Sequence, residues 1–382
     1  MTDLPIYLDH NATTPLLPEV VEAMLPYLRR HFDNPSSGHA YGREARAGVE
    51  RAREQVARLL GCQPDEVFFT SGGTEANNLA IRGVTDAAAQ RRHVVTTAIE
   101  HPATANPCRH LQTHGWRVDH VGVDASCRVR LDELGSRLGD ETALVTVIHA
   151  NNETWTLQSI AEIAALSHRH GAVMHTDAAQ SVGKVAVTVD ALGVDLLSIA
   201  GHKLNAPKGV GALYVRRGTP IEPFTRGAGH ERGLRPGTEN VASLVGLGVA
   251  CASVAAGLAS RTAHLLTLRD HLWHLLTAAI PGVKRNGHAT EQLPNTLSVR
   301  FPGVRGTALL DATPEIAAST GSACHEGHES ASSVLLAMGL GAEEALETVR
   351  LSVGTVTSAD EIERAGAALV NAWRVVSRAG NP

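Results

Sequence analysis

Short apolar runs of strand length alternate with helical stretches from residue 18 to about residue 215, and this alternation is the strongest constraint on the fold. Several runs are continuously apolar instead of alternating between apolar and polar residues, which is typical of strands whose two faces are both covered by helices. The pattern predicts an α/β architecture with a mostly parallel, seven-stranded sheet. The predicted strands cover residues 67–70, 94–98, 118–121, 143–148, 173–176, 196–199 and 212–215.

The pattern changes after a long helix-rich stretch over residues 238–280. Beyond it, shorter strands and helices are interleaved, which predicts a smaller α+β unit. We therefore predict a large domain over residues 15–259 and a small domain made of residues 1–14 and 260–382. The boundary near residue 260 is placed where the pattern of strands and helices changes. The predicted elements of the small domain are strands over residues 295–301, 316–320 and 348–353 and helices over residues 332–338 and 360–376.

The charge and cysteine content argue against several classes of protein. The chain carries 34 Lys and Arg residues against 39 Asp and Glu residues, and 3% of its residues are aromatic, so a nucleic-acid-binding surface is not expected. Its five cysteines are spread out with no CxxC pair, which favours reduced thiols over a disulfide scaffold. The N-terminal residues lack the basic and apolar regions of a signal peptide, and no run of about 18 apolar residues occurs. We expect a soluble, cytoplasmic protein without a membrane segment.

Polar and glycine-rich segments follow three of the predicted strands, at the strand ends where ligands gather in open α/β sheets. Taken singly, each segment has an ordinary explanation: Gly72 and Gly73 can form a simple turn, Asp177 can cap the next helix, and Lys203 can be structural or bind an anion. Together they match a pyridoxal-phosphate (PLP) site. Such a site needs an amine for the cofactor, a carboxylate for the pyridinium nitrogen, and N–H and hydroxyl groups for the phosphate.

Nine ordered segments, spread over nearly the whole chain, carry a family resemblance. They are residues 8–15 (LDHNATTP), 70–75 (TSGGTE), 100–101 (EH), 149–154 (HANNET), 177–180 (DAAQ), 201–203 (GHK), 230–238 (HERGLRPGT), 321–324 (GSAC) and 350–352 (RLS). With these segments the sequence resembles the cysteine desulfurases of the nitrogen-fixation and iron–sulfur-cluster type, a branch of the class V aminotransferases. The resemblance implies the fold of the fold-type-I PLP-dependent transferases and a homodimer.

The resemblance also implies a role for each residue that matches the family's motifs. Lys203 would bind PLP covalently and shuttle the Cα proton of the substrate. His101 would stack on the pyridine ring and take part in acid–base steps. Asp177 would pair with the ring nitrogen, and Gln180 with the phenolic oxygen.

The remaining implied roles concern the phosphate and the substrate. The phosphate would be held by Gly73, Thr74 and His202. Thr238 would reach the phosphate from the partner subunit. Asn152 and Arg350 would take the carboxylate of the L-cysteine substrate, for which the planar fork of a guanidinium is well suited.

Cys324 would carry the step that distinguishes the family. Its thiolate would attack the sulfur of the cysteine–cofactor adduct, leaving a persulfide on the enzyme and releasing L-alanine. The persulfide sulfur would then pass to an acceptor protein whose identity the sequence does not specify. The alternative for a cytosolic cysteine is a small buried apolar side chain. Cys324 lies instead in a small, polar stretch over residues 319–328 that is typical of a mobile loop, and we expect the structural role for Cys62, Cys108, Cys127 and Cys251.

Three departures from the family pattern bear on the site. Ala200 stands where a phosphate-binding Ser is usual, so one contact worth about 1 kcal/mol is missing. Trp155 stands where Gly is typical, and a bulky ring there would narrow the substrate site or move its loop. His325 and His328 follow Cys324 in place of a hydroxyl-rich run. Either an imidazolium lowers the Cys324 pKa, or the three side chains bind zinc, or the loop is merely solvated. A metal would tie up the thiolate, so none is expected.

Two other functions fit parts of the sequence. A selenocysteine lyase or another PLP-dependent C–S lyase would use the same Lys203 and Asp177, and the acceptor thiol of Cys324 discriminates it. A non-catalytic sulfur-relay protein would keep the fold without the chemistry, and it would be colourless where a PLP-bound lysine is yellow. The sequence favours a cysteine desulfurase over both.

Overall fold

The computed structural model describes residues 4–88, 90–320, 324–325 and 328–379, with residues 324, 325, 328, 329 and 379 described by their backbone alone. The strands in these ranges are β1 (Ile6–Tyr7), β2 (Val67–Thr70), β3 (His93–Thr97), β4 (Arg117–Val121), β5 (Thr142–Ile148), β6 (Val173–Asp177), β7 (Leu196–Ala200), β8 (Gly211–Val215), β9 (Lys284–Arg285), β10 (Thr296–Arg300), β11 (Ile316–Ala317), β12 (Ser319–Thr320), β13 (Cys324–His325), β14 (His328–Glu329) and β15 (Thr348–Ser352). The α-helices in the same ranges are α1 (Pro18–Arg29), α2 (Ala40–Leu60), α3 (Gly73–Ala87), α4 (Pro102–Thr113), α5 (Leu131–Arg137), α6 (Ile160–Arg169), α7 (Val189–Leu192), α8 (Val241–Ala279), α9 (Gly306–Asp311), α10 (Ser333–Ala337), α11 (Ala342–Leu346) and α12 (Ala359–Ala379).

A seven-stranded sheet of order β2-β8-β7-β6-β5-β3-β4 forms the centre of the larger unit. β8 runs antiparallel to both of its neighbours, and the strands from β7 to β4 pair in parallel. The predicted α/β class with a mostly parallel seven-stranded sheet is therefore confirmed. Each predicted strand of this sheet is present, with bounds that differ by no more than one residue at either end.

Neighbouring residues on one strand of this sheet belong to different hydrophobic cores, because successive side chains point to opposite faces. Leu197 packs in the core that contains α2 and the first half of α8, whereas Leu196 packs with α3 and α4 on the other face. Val95 and Val94 divide between the two cores in the same way. Both faces of the sheet are thus covered by helices, which is the physical reason that the strands are continuous apolar runs.

A four-stranded antiparallel sheet of order β12-β15-β10-β9 forms a second unit with its own core. β1 pairs in parallel with β11, so Ile6 and Leu8 from the N-terminal segment join this second core. The single strand predicted over residues 316–320 is wrong. The chain forms β11 and β12 instead, which pair with different partners because the strand is interrupted at Ala318. The predicted domain limits at residues 14 and 259 stay predictions.

Helix α8 is 39 residues long and contributes to the cores of both units. Its length and apolar composition would by themselves suit a membrane span, but 56% of its most apolar window is buried inside the protein. It packs against α1, α2 and α12. Its backbone leaves the helical region at Gly257, where φ is −129°. These contacts are those of a core helix.

Candidate active site

A cavity of about 380 Å³ opens where β5, β6 and β7 end. The carboxyl ends of parallel strands meet at one edge of a sheet, so residues that are far apart in the chain converge there. β6 ends at Asp177 and β7 at Ala200, and a 3-10 turn over Gly201–Lys203 follows directly. The residues that line the cavity are Asn11, Ala12, Gly73, Thr74, Asn77, His101, Ala103, Ile148, Asn152, Asp177, Ala179, Gln180, Ala200, His202, Lys203 and Arg350.

The cavity gathers all of the predicted site residues except Thr238 and Cys324. Thr238 is exposed and does not line it. The backbone of Cys324 lies in β13, which pairs antiparallel with β14. The side chains of Cys324, His325 and His328 lie outside the described part of the chain, and so does the alternative zinc site. The roles predicted for the site residues stay predictions.

Lys203 enters the cavity from the 3-10 turn after β7. Its Nζ donates to the carbonyl oxygen of Ala12 at 2.7 Å and to that of Asn11. Burial and the nearby positive charge of Arg350 lower the pKa of Lys203 to about 8, although the carboxylates of Asp9 and Asp177 act in the opposite direction. The lowered pKa favours the neutral amine more than in an exposed lysine.

Asp177 is a buried carboxylate at the end of β6. Its Oδ2 accepts from Asn77 Nδ2 at 2.7 Å, and its Oδ1 accepts from the backbone N–H of Ala179 at 3.0 Å. Asn77 Nδ2 also donates to Thr104 Oγ1 at 3.1 Å. These donors hold the carboxylate in one orientation beside the cavity.

Gln180 lines the cavity within a buried network of amides. Its Nε2 donates to the carbonyl oxygen of Asn11 at 2.9 Å, and its Oε1 accepts from Lys184 Nζ at 2.7 Å. Asn11 Nδ2 donates in turn to Thr296 Oγ1 at 2.9 Å. The N-terminal segment is thereby joined to the residues that follow β6.

His101 stands at the N-terminus of α4, where its Nδ1 accepts from the backbone N–H of Ala103 at 3.1 Å. Burial lowers the pKa of His101, and the positive charge of Lys203 lowers it further, while Asp177 has the opposite effect. An Nδ1 that accepts a hydrogen bond leaves the proton of the neutral imidazole on Nε2. The ring is therefore a neutral imidazole with a defined tautomer at neutral pH.

The start of α3 forms the end of the cavity that suits a phosphate. Its N-cap, Gly72, has φ of 148° and offers no side-chain cap, so the N–H groups of the first turn remain available for an anion. A Cβ added at Gly73 would lie 3.2 Å from the Cβ of Ala200, so the two backbones approach closely here. His202 Nδ1 lies 3.2 Å from Thr13 Oγ1, and burial lowers the pKa of His202 to about 4.

Arg350 reaches the cavity from β15 of the second unit. Its Nη2 donates to Asp9 Oδ1 at 2.8 Å, and its Nη1 donates to the carbonyl oxygen of Asn152 at 3.2 Å. Its Nε is buried without a partner among the described residues. The guanidinium therefore retains hydrogen-bonding capacity beside a cavity that would admit a carboxylate.

Trp155 does not line the cavity, although the sequence suggested that it would narrow the substrate site or move its loop. Its side chain is fully buried in the core of the second unit, and its backbone has φ of +59°. A Cβ at Gly287 would lie 2.6 Å from the indole Nε1, so a glycine opposite makes room for the ring. The left-handed backbone directs the indole into this core.

Three residues of the site went unassigned at the level of the sequence: Asn11, Asn77 and Lys184. Asn11 lies within a segment that carries the family resemblance, and Asn77 follows the glycine-rich segment by one helical turn. Lys184 is a single lysine within the otherwise apolar or glycine residues 182–187. These apolar neighbours are the sequence signal that Lys184 is buried, since an amine in such a run is buried only where it has polar partners.

The donors and acceptors of the cavity fit PLP. An amine, a buried carboxylate and free N–H groups at the start of a 15-residue helix lie around one space. These are the groups that the aldehyde, the pyridine nitrogen and the phosphate of this cofactor require. Among the described residues, no cluster of three His, Cys, Asp or Glu side chains suits a metal ion.

Comparisons with known proteins agree with this geometry. A family described as aminotransferase class V matches residues 6–365. The cysteine desulfurase of Trichormus azollae is 45% identical over 361 residues, which cover 94% of this chain and 90% of that protein. The cysteine desulfurase NifS of Azotobacter vinelandii is 42% identical over 362 residues, which cover 94% and 90% of the two chains.

The solved structures agree as well. A protein described as NifS-like superimposes with a TM-score of 0.91 at 35% identity, and the match covers 98% of this chain and 100% of that one. The similarity thus extends over both units of the fold and over the segments that build the cavity. The chain therefore belongs to the class V aminotransferase family, among the cysteine desulfurases of the NifS type.

Proposed function

We propose that this protein is a PLP-dependent cysteine desulfurase, which converts L-cysteine to L-alanine and leaves the sulfur as a persulfide on Cys324. The observation that carries the proposal is the convergence of Lys203, Asp177 and Arg350 on one cavity. They supply an amine for the cofactor, a carboxylate for its ring nitrogen and a guanidinium for an amino-acid carboxylate. The relatives that carry the name cysteine desulfurase support the same function.

In this proposal the cofactor is held at three places. Lys203 would form the covalent link, Asp177 would bind the ring nitrogen, and Gln180 would offer a donor to the phenolic oxygen. The phosphate would be held by Gly73, Thr74 and His202. The chemistry that PLP supplies when bound is an electron sink for the electron pair released at the substrate carbon.

Substrate binding falls to Arg350 and Asn152 in this proposal. An amino-acid carboxylate would meet a guanidinium whose side chain is 11% exposed, where a charge-assisted pair is stronger than in bulk solvent. Asp9 already occupies one side of the guanidinium. The carboxylate would therefore approach from the cavity side, and Asp9 would keep Arg350 in place.

Proton transfer falls to Lys203 and His101. The pKa of Lys203, lowered to about 8, provides a neutral fraction of the amine that accepts the Cα proton of the substrate at neutral pH. Nδ1 of His101 is engaged with the N–H of Ala103, so Nε2 is the ring nitrogen that can exchange a proton. The two residues act near each other because both line the cavity.

The sulfur step falls to Cys324. Its thiolate forms an S–S bond with the substrate sulfur while the C–S bond breaks, and the electron pair of that bond stays with the carbon, which gains a proton and leaves as L-alanine. The other cysteines are poor candidates, because burial raises the pKa of Cys62, Cys108, Cys127 and Cys251 to about 12. An acceptor protein then removes the outer sulfur of the persulfide.

A homodimer belongs to the same proposal, with a cytoplasmic location. Thr238 is exposed and outside the cavity of its own chain, as a residue that serves the partner's phosphate site would be. Light scattering on the purified protein tests this part. A stable, PLP-loaded monomer would refute the contribution of Thr238 from a second subunit.

The proposed function is tested by incubating the purified protein with L-cysteine and following alanine, sulfide and the mass of the protein. We expect alanine in step with sulfur release and a mass gain of one sulfur atom on Cys324. Cys324→Ala should keep the PLP absorbance and lose the persulfide, and Lys203→Ala should lose the covalent cofactor. A C324A protein that released sulfide as fast as the wild type would contradict the persulfide mechanism.

A further inference from the structure

Lys184 carries a buried amine that the proposed mechanism does not use. Its side chain lies behind Gln180, and the residue is only 6% exposed. Its Nζ donates to Gln180 Oε1 at 2.7 Å and to Asn11 Oδ1 at 3.3 Å. Both partners are neutral amides, and Lys184 makes no ion pair with the side chains that the structure describes.

The position of Lys184 determines which way the amide of Gln180 faces. A lysine amine offers N–H donors whether or not it is protonated, and the atom of Gln180 that meets it is the oxygen. On the other side, the carbonyl oxygen of Asn11 only accepts, so the atom that meets it must be Nε2. Both contacts favour the same orientation of the amide, and the second N–H of Nε2 is the donor that Gln180 has left for a ligand.

Loss of the Lys184 amine would remove one of the two contacts that orient the Gln180 amide. Gln180 Oε1 would then be a buried acceptor without a partner, and the amide would rotate toward another donor or toward solvent in the cavity. A rotated amide presents an oxygen to the ligand instead of an N–H. An oxygen that faces the negatively charged phenolic oxygen of PLP repels it where an N–H would bind it.

We propose that Lys184 is a positioning residue that locks the Gln180 amide with its N–H toward the cofactor, and so tunes the protonation of the lysine-bound PLP. The inference rests on the proposed function, since it assumes that PLP occupies the cavity. The charged and titratable groups around the network include Lys203, Arg350, Asp9, Asp177, His10 and Arg261, and the first two add positive charge near Lys184. Burial lowers the pKa of Lys184 well below its usual range. A neutral amine still donates, so the lock does not require the charge.

The test is a pH titration of the visible absorbance of the PLP-loaded protein in four variants of the network, one control variant and the wild type. A donor to the phenolic oxygen stabilises its negative charge and lowers the pKa of the lysine-bound cofactor. We expect Lys184→Met and Gln180→Leu each to raise this pKa by about 0.5 to 1 unit, the equivalent of one hydrogen bond. The double variant should shift no further than Gln180→Leu, because Lys184 acts through Gln180.

Lys184→Gln separates the donor from the charge. Its side-chain amide restores a donor for Gln180 Oε1 without a cation, so we expect a pKa within about 0.2 units of the wild type. If the cofactor pKa in K184Q shifts as far as in K184M, the charge of Lys184 acts instead of its hydrogen bond, and the inference is wrong. Additive pKa shifts in the double variant would also contradict the inference. Lys284→Met, at an exposed position on β9, is the matched control and should leave the pKa unchanged.

The inference can still be tested if one of the variants fails to fold. If K184M does not refold or bind PLP, the comparison of K184Q with Q180L decides the question, since equal shifts in these two would overturn the inference. A wild-type protein that stays colourless with PLP would contradict the proposed function and this inference together. A yellow wild type with an unshifted K184M would contradict the inference alone.

Discussion

Arg350 donates from Nη2 to Asp9 Oδ1 at 2.8 Å, although the two residues stand 341 positions apart in the chain. Asp9 Oδ2 accepts as well from Ser319 Oγ at 2.9 Å, just before the segment that contains Cys324. The side chain of Arg350 is 11% exposed, so these contacts decide where its guanidinium lies. The carboxylate of Asp9 therefore positions both the guanidinium of Arg350, which is the proposed substrate-binding group, and Ser319, which precedes Cys324 in the chain.

Replacing Asp9 by Asn keeps the shape of this contact and removes its charge. We expect KM for L-cysteine to rise about tenfold, equivalent to about 1.4 kcal/mol, with a smaller change in kcat, because the guanidinium loses its fixed orientation. Steady-state kinetics measures both constants. The matched control is Asp65→Asn, which removes an exposed ion pair with Arg217 and should change neither constant. An unchanged or lower KM in D9N would contradict the positioning role of Asp9.

Asp177 and its partner Asn77 should differ in how much catalysis depends on them. Asp177→Asn removes the buried charge opposite the ring nitrogen, and we expect kcat/KM to fall about 100-fold or more. Asn77→Ala removes one hydrogen bond to the carboxylate, and we expect a loss of about fivefold. Both variants should still bind PLP, as seen in the absorbance spectrum. A D177N enzyme that retained full activity would rule out the ring-nitrogen contact.

Glu100 predicts a pH dependence of stability. The pKa of Glu100 is raised to about 8, from 4.5 in the unfolded chain, chiefly by burial and also by the charge of Asp177. Hydrogen bonds to Glu100 Oε1 from Thr97 Oγ1 and from the N–H of Ile148 act in the opposite direction. The folded state thus binds one more proton than the unfolded state between these two pKa values. The stabilisation is therefore complete below the unfolded pKa and declines as the pH rises toward the folded pKa.

Glu100→Gln tests this prediction because an amide does not ionise. We expect the variant to gain free energy of unfolding relative to the wild type as the pH is raised from about 5 to about 9. Chemical denaturation of the two proteins at both pH values measures the difference. A difference that stays constant between the two pH values would show that Glu100 ionises as freely in the folded protein as in the unfolded chain.

Trp155 sets two opposing effects against each other. Its left-handed backbone costs about 1 to 2 kcal/mol in a residue other than glycine. Removing its fully buried indole costs about 3 to 5 kcal/mol. Trp155→Gly should therefore lower the free energy of unfolding by about 2 kcal/mol, and Trp155→Phe should cost less because most of the space stays filled. A more stable W155G protein would mean that backbone strain outweighs packing at this position.

The sequence was a good guide wherever the physical cause is local. The apolar runs predicted all seven strands of the large sheet, because burial on both faces acts on each strand separately. Gly61 follows the last residue of α2 with φ of 70°, the left-handed conformation in which glycine commonly ends a helix. The prediction failed at residues 316–320, where the pairing partners change within one apolar stretch and no local signal marks the change.

The polar network behind the cofactor site followed no such local rule. The proposed role of Lys184 depends on its hydrogen bonds to Gln180 and Asn11, and Asn11 lies 173 positions away in the chain. Trp155 was expected to affect the substrate site, and its left-handed backbone turns the indole into the second core instead. Side-chain direction depends on backbone angles and on the neighbours across a core, neither of which a linear pattern contains.

The sequence by itself determined the architecture, the family and the chemical types at the site, because hydrophobic period and short motifs are properties of neighbouring residues. Only the tertiary structure decided that Asp9 holds Arg350, that Asn77 holds Asp177 and that Lys184 holds Gln180. The first joins a segment that lies alongside β15, the second joins α3 to the end of β6, and the third spans one turn after β6. Their energies depend on burial and distance, which exist only once the chain has folded.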